Sequence, residues 1–134
     1  MVLRSAPSKR LPEQDDPLTR KIIVCAIEVH KRLGPGLLEE LYQEAMVVEM
    51  ELCGLKVEKN VKVPVEYKGK FIGEYFIDIL VEEKVILELK SVERHDPIFE
   101  AQILSYMKLT GKKIGLLINF NSKMVKDGIK RFVL

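Results

Sequence analysis

Two short apolar stretches, residues 76–81 and 85–90, constrain this chain most, because only three residues separate them. Both are rich in β-branched and large aliphatic side chains, which is typical of strands covered on both faces. The Glu-Glu-Lys sequence between them is short enough for a hairpin connection. The pattern therefore predicts two antiparallel strands in the interior of a sheet.

Three charged residues, Asp78, Glu88 and Lys90, interrupt these apolar strands. Side chains two residues apart on a strand share a face, so Glu88 and Lys90 point the same way. With a three-residue connection Val81 pairs with Val85, and Asp78 then lies opposite Glu88 at a Cβ separation of about 4.5–5.5 Å. A two-residue loop would turn Asp78 to the other face, and it stays an alternative because the loop has no glycine.

Two opposed carboxylates destabilise a sheet unless a positive charge lies between them. A divalent cation resolves this conflict, since Mg²⁺ prefers carboxylate oxygens and retains several water ligands. Lys90 is then placed to position a water molecule or to help deprotonate it. The alternative is a solvated strand face on which Lys90 makes a weak surface ion pair, but the apolar neighbours of these residues argue against such a face.

The remaining elements follow from caps and periodicity. Asp-Pro pairs begin helices at Pro17 and Pro97, and helical spacing of apolar residues predicts helices over 17–33, 37–52 and 97–110. Apolar or alternating segments predict strands over residues 56–67, 71–81, 85–90 and 113–120, with a further strand over 129–134. A right-handed crossover makes the strand after the third helix parallel to the 85–90 strand. The order α-α-β-β-β-α-β, with a final β, predicts an α/β domain whose mixed central sheet is flanked by helices.

Length and composition restrict the class of protein. The 134 residues suit one domain, and a net charge of +2 gives no argument for a nucleic-acid partner. Two cysteines and two histidines argue against a zinc site and favour a reducing compartment. No apolar run reaches the length of a membrane span, and the start is too polar for a secretory signal. We expect a soluble cytoplasmic protein with a flexible leader over residues 1–16 and a folded domain over 17–134.

The acidic residue Asp78, followed on the next strand by Glu88-Leu89-Lys90, resembles the motif of the PD-(D/E)XK nuclease superfamily. Ile77 stands where that motif has proline. On the third predicted helix, Gln102 to Tyr106 resembles the Q-x-x-x-Y motif of the exonuclease branch related to RecB. Residues 36–42 resemble the G-x-x-E-x-x-Y signature of the GxxExxY protein family in the same superfamily. The resemblance implies a restriction-endonuclease-like fold.

The resemblance also implies a function. Members of the superfamily hydrolyse phosphodiester bonds of nucleic acid with Mg²⁺ or Mn²⁺, and DNA is the substrate that we expect here. Carried onto this chain, Asp78, Glu88 and the Leu89 carbonyl hold the metal, and Lys90 orients the attacking water. Glu39, near the start of its helix, fits the helical acidic residue that completes such sites.

Other residues have both a site role and a structural one. Gln102 and Tyr106 lie one turn apart on a helix, where they could support the site or contact the substrate. The alternative is that Gln102 is an ordinary surface residue and Tyr106 an ordinary core residue. Glu39 also suits a helix N-terminus electrostatically. Tyr42 falls on the apolar stripe of its helix, where we expect a packed ring whose hydroxyl has a polar partner.

A non-catalytic module that keeps the nuclease fold and binds nucleic acid or protein is the alternative function. A small domain of this kind can act as a homodimer or inside a larger complex. The sequence shows no recognition helix and no aromatic stacking array, so it leaves the form of the substrate open.

Overall fold

Six strands form one mixed sheet in the computed structural model, which describes residues 4–5 and 16–134. In chain order the strands are β1 (Arg4–Ser5), β2 (Val57–Tyr67), β3 (Lys70–Val81), β4 (Val85–Lys90), β5 (Ile114–Asn119) and β6 (Ile129–Val133). Their spatial order is β1-β6-β5-β4-β3-β2. The predicted mixed α/β architecture is confirmed. The predicted flexible leader falls largely on residues 1–3 and 6–15, outside the described residues.

The β3–β4 hairpin has the three-residue register. Val81 pairs with Val85, and the antiparallel ladder continues to Ile79 opposite Leu87. The backbone ladder ends there, and the next residue on each strand, Asp78 and Glu88, is joined to the other by a hydrogen bond from the Asp78 amide to Glu88 Oε2. The two-residue alternative is therefore wrong.

The turn of this hairpin forms without glycine. Glu82 and Glu83 both adopt left-handed backbone conformations, with φ of 52° and 56°. The Lys84 amide donates to the Val81 carbonyl at 2.9 Å, and the Glu82 amide donates to the Lys56 carbonyl at 2.8 Å. These two hydrogen bonds compensate for a conformation that non-glycine residues rarely adopt.

Within the described residues, three α-helices cover the sheet: α1 (Pro17–Leu33), α2 (Glu39–Leu52) and α3 (Pro97–Thr110). Asp96 caps α3, since its side chain accepts from the Ile98 amide at 3.0 Å, and Gly111 ends it in the left-handed region at φ 72°. Because α3 connects β4 to β5 as a crossover, these two strands are parallel. The parallel pair is as predicted.

Alternate residues of β4 enter two hydrophobic clusters. Leu87 packs in the cluster under α1 and α2, whereas Ile86 packs in the cluster under α3. The first cluster includes Ile22, Tyr42, Met46, Ile79, Leu116 and Phe120. The second includes Ile77, Ile103, Tyr106, Met107, Leu117 and Phe132. The continuous apolar character of β4 therefore reflects burial on both faces.

The two cysteines, 28 positions apart in sequence, meet where α1 passes the end of α2. The Cys25 and Cys53 sulfur atoms lie 3.7 Å apart as free thiols. Cys25 is buried, and burial raises the pKa of its thiol to about 12.

Within the described part of the chain, the helices are too short or too polar to cross a bilayer.

Candidate active site

Backbone pairing between β3 and β4 ends before Asp78 and Glu88, whose side chains instead accept hydrogen bonds from the backbone of the opposite strand. The Asp78 amide donates to Glu88 Oε2 at 2.9 Å, and the Leu89 amide donates to Asp78 Oδ2 at 2.8 Å. Each carboxylate is thus fixed by one backbone N–H of the neighbouring strand. The structure brings these two predicted site residues together.

The second oxygen of each carboxylate, Asp78 Oδ1 and Glu88 Oε1, accepts no hydrogen bond from the residues that the structure describes. Glu88 is only 4% exposed, and Asp78 is half-buried. Burial, reinforced by the charge of Asp78, raises the pKa of Glu88 to about 8. Burial also raises the pKa of Asp78, against the opposing effects of the Leu89 amide and the Lys90 charge. The pair is electrostatically costly and has oxygens available to a cation.

Lys90 lies beside the pair on the side of α3. Its ammonium nitrogen is 4.4 Å from the centroid of the Phe99 ring, which is the geometry of a cation–π contact. The positive charge of Lys90 lowers the pKa of both carboxyl groups. No described carboxylate makes an ion pair with it, so the ammonium is held by an aromatic face while remaining close to the acids.

The N-terminus of α2 is anchored against the end of β4. The Tyr42 hydroxyl donates to the Gly34 carbonyl at 2.5 Å and accepts from the Leu37 amide at 3.2 Å. Ser91, which follows Lys90, donates through Oγ to the Leu37 carbonyl at 2.6 Å. These contacts confirm the predicted polar partner of Tyr42 and fix the first turn of the helix near the acids.

Glu39 occupies that first turn and is exposed. Its negative charge raises the pKa of Glu88 only slightly, less than burial and the charge of Asp78 do. Among residues 4–5 and 16–134, no three His, Cys, Asp or Glu side chains are close enough to form a metal-binding group. The structure therefore brings Asp78 and Glu88 together, and Glu39 lies outside this pair.

Gln43 is a site residue that the sequence analysis missed. Its amide nitrogen donates to the Asp78 carbonyl at 2.8 Å and to Asn60 Oδ1 at 3.0 Å. Gln43 thereby ties α2 to β3 at the residue that carries the first carboxylate. No local sequence pattern indicates this contact, because Gln43 and Asp78 are 35 positions apart.

Tyr106 lies within the electrostatic influence of the acids. Its ring meets that of Tyr75 edge-on, with centroids 4.9 Å apart. Burial, with contributions from the charges of Glu88 and Asp78, raises the pKa of its hydroxyl to about 12. Gln102, one turn earlier on α3, is half-buried and makes no side-chain hydrogen bond to the described residues. The structure thus places Tyr106 near the acids and Gln102 on the same helix.

A pocket of about 270 Å³ adjoins Lys90. Its walls include Phe99, Asn119 and two further basic residues, His95 and Lys130. Glu100 accepts from both, at 2.5 Å from His95 and 2.8 Å from Lys130. The pocket gives space for a polar group beside the Lys90 ammonium.

The family model of the PD-(D/E)XK nuclease superfamily matches residues 16–132, which is nearly all of the chain. Comparisons with curated proteins and with solved structures give no match.

Proposed function

The chain belongs to the PD-(D/E)XK nuclease superfamily, and from this membership we propose that it is a metal-dependent nuclease hydrolysing phosphodiester bonds of nucleic acid, with DNA as the expected substrate. The observation that carries the proposal is the pair of the half-buried Asp78 and the buried Glu88, fixed by two reciprocal hydrogen bonds with one carboxylate oxygen left over on each side. Membership of the GxxExxY family and a cytoplasmic location stay predictions.

The donor set suits Mg²⁺ or Mn²⁺. Magnesium is commonly bound by one or two carboxylates together with waters and substrate phosphates, so two converging acids are sufficient. Asp78 and Glu88 would hold the ion, with the Leu89 carbonyl as a further ligand. A bound cation would supply Lewis acidity toward water and the phosphate.

The other residues act around this pair. Lys90, restrained by the Phe99 ring, orients the attacking water and stabilises negative charge on the phosphate. Gln43 is a positioning residue, because it holds the backbone of Asp78. Gln102 and Tyr106 support the substrate from α3, and Glu39 adds negative charge at the start of α2.

Cleavage assays with the purified protein test this proposal. Single- and double-stranded DNA and RNA are each incubated with Mg²⁺, Mn²⁺ or a chelator. We expect metal-dependent cleavage that Lys90→Ala and Glu88→Gln reduce by at least about 100-fold, the range in which removal of a charge-stabilising group falls. Lys84→Ala, in the exposed turn between the same two strands, is the matched control and keeps full activity. Absence of cleavage with every substrate, or equal activity of Lys90→Ala, overturns the proposal.

A non-catalytic binding module is the second candidate. It is favoured by one observation, that Glu39 does not join Asp78 and Glu88 in a three-residue group within the described chain. Such a module binds nucleic acid or a protein partner with no turnover, and Glu88→Gln leaves its binding unchanged. The same variants thus separate the two functions.

A further inference from the structure

The exposed aromatic residues of the chain are confined to one element. We call residues 61–77 the arm, the part of the β2–β3 hairpin that extends beyond the three residues of β3 paired with β4. All nine Phe and Tyr residues lie in the described region, and the five outside the arm are buried or half-buried. The four arm aromatics, between 42% and 63% exposed, are Tyr67, Phe71, Tyr75 and Phe76. These four exposed rings were not singled out by the sequence.

The tip of the arm combines these rings with positive charge. Lys68 and Lys70 flank the turn between Tyr67 and Phe71, and neither has an ion-pair partner among the described residues. The Lys68 ammonium lies 5.5 Å from the centroid of the Tyr67 ring. Exposed rings interleaved with uncompensated ammonium groups are the features of surfaces that bind single-stranded nucleic acid.

One of the two acidic residues on the arm, Glu66, lies at this tip, where it pairs with Phe71 across the hairpin. Glu74 is compensated, because Lys62 on the opposite strand approaches it to 3.7 Å. Glu66 is exposed and precedes Tyr67. From Glu66 to Phe71 the tip carries two positive charges and one negative charge.

The arm leads directly into the candidate active site. Tyr75 contacts Tyr106, whose hydroxyl pKa is raised by the charges of Glu88 and Asp78 as well as by burial. Along β3, Phe71 is seven residues from Asp78, which is about 23 Å at the rise of an extended strand. At about 3.4 Å per nucleotide this length accommodates roughly seven nucleotides.

We infer that the arm is a stacking surface for unpaired bases, and that the substrate is a single-stranded nucleic acid or one with a single-stranded segment. This inference rests on the proposed nuclease function and gives it a substrate class. Bases in a duplex are already stacked on each other, so the exposed rings match unpaired bases better. A second copy of the chain is a poorer fit, because packing onto the tip would bury two ammonium groups without partners.

Binding measurements in a chelator, where cleavage is blocked, test the inference. A labelled strand of about 20 nucleotides, long enough to reach past both the arm and the site, is compared with the duplex of the same sequence. We expect Tyr67→Ala and Phe71→Ala each to weaken single-strand binding by about 5- to 150-fold, the equivalent of about 1–3 kcal/mol per stacked base. Duplex binding changes much less. Leu52→Ala, an exposed apolar truncation at the end of α2, is the matched control and has no effect.

The outcomes separate this inference from the nuclease proposal. If wild type cleaves nucleic acid but the arm variants bind and cleave single strands normally, the arm role is wrong and the nuclease function stands. If single-strand binding depends on the arm and no substrate is cleaved, the arm role stands and the nuclease function falls. A wild-type dimer that Phe71→Ala converts to a monomer with unchanged strand binding identifies a self-association surface and overturns the inference. An unchanged melting temperature of each variant confirms that the fold is intact.

Discussion

At the scale of single residues, the buried carboxyl of Glu88 makes the stability of the metal-free protein depend on pH. Its pKa is about 8 in the folded chain against a reference value of 4.5, because burial and the neighbouring Asp78 disfavour the charged form. The folded state therefore binds more protons than the unfolded state throughout this interval. The free energy of unfolding falls as pH rises from about 4.5 to 8, by up to about 1.4 kcal/mol per pH unit.

Urea unfolding of the metal-free protein between pH 5 and 8 measures this slope. Glu88→Gln, which cannot ionise, should make the free energy of unfolding depend less on pH. It should raise that free energy most near pH 8. Glu40→Gln, an exposed first-turn glutamate, is the control and should leave the slope as it is in wild type. Equal pH slopes for wild type and Glu88→Gln would contradict the raised pKa of Glu88.

The Asp78 side chain has a structural role that is separable from its charge. Asp78 Oδ2 accepts from the Leu89 amide at 2.8 Å, so removing the acceptor leaves that N–H without its partner. We expect the metal-free Asp78→Ala variant to be less stable than Asp78→Asn by about 1–3 kcal/mol, the cost of an unsatisfied buried donor. Denaturant titration of both variants checks this, and equal stabilities would mean that water replaces the lost acceptor.

At the scale of elements, Tyr42 holds the start of α2 through its hydroxyl. Tyr42→Phe keeps the stacked ring contact with Phe120, whose centroid is 4.4 Å away, and loses the bonds to Gly34 and Leu37. We expect a loss of about 1–3 kcal/mol in the free energy of unfolding, since the partners are left unsatisfied. Tyr67→Phe, which removes an exposed hydroxyl, should cost almost nothing by the same measurement.

Two glycines provide a matched test of how tightly the elements pack. A Cβ at Gly128 would collide with the Asn119 carbonyl oxygen and lie 2.6 Å from Ser122 Oγ, whereas one at Gly115 would meet the flexible Met107 side chain at 2.8 Å. Backbone cannot move aside as readily as a methionine side chain. Gly128→Ala should therefore cost about 1–3 kcal/mol and more than Gly115→Ala, as measured by denaturant unfolding. The reverse order would indicate that the segment around Gly128 shifts easily.

The elements were largely predictable from the sequence, whereas the contacts between them were not. Periodicity and caps determined the helices, and the spacing of the β3–β4 hairpin gave the register that brings Asp78 next to Glu88. Gln43 was missed because its bond to the Asp78 carbonyl joins residues 35 positions apart, which no local pattern shows. The exposed rings of the arm were missed for a related reason. Aromatic residues on a strand normally indicate burial, and only the short β3–β4 pairing reveals that these lie beyond the cover of the sheet.

At the scale of the whole molecule, stability is distributed unevenly across the sheet. The strand β4 is paired on both sides and buried on both faces, whereas most of the arm, within the described chain, pairs only along the β2–β3 ladder. Local opening is easiest where buried contacts are few. Backbone amides of the arm tip should therefore exchange with solvent much faster than those of β4.

Hydrogen exchange followed by mass spectrometry tests this distribution and the role of the arm together. In the free protein we expect slow exchange in Val85–Lys90 and fast exchange around Tyr67 and Phe71. Adding single-stranded nucleic acid in a chelator should slow exchange at the arm, because bound bases exclude water from its strands. A control duplex of the same sequence should have a smaller effect there. Arm amides that are already as protected as those of β4 in the free protein, with protection lost on dilution, would mean that another copy of the chain covers this surface.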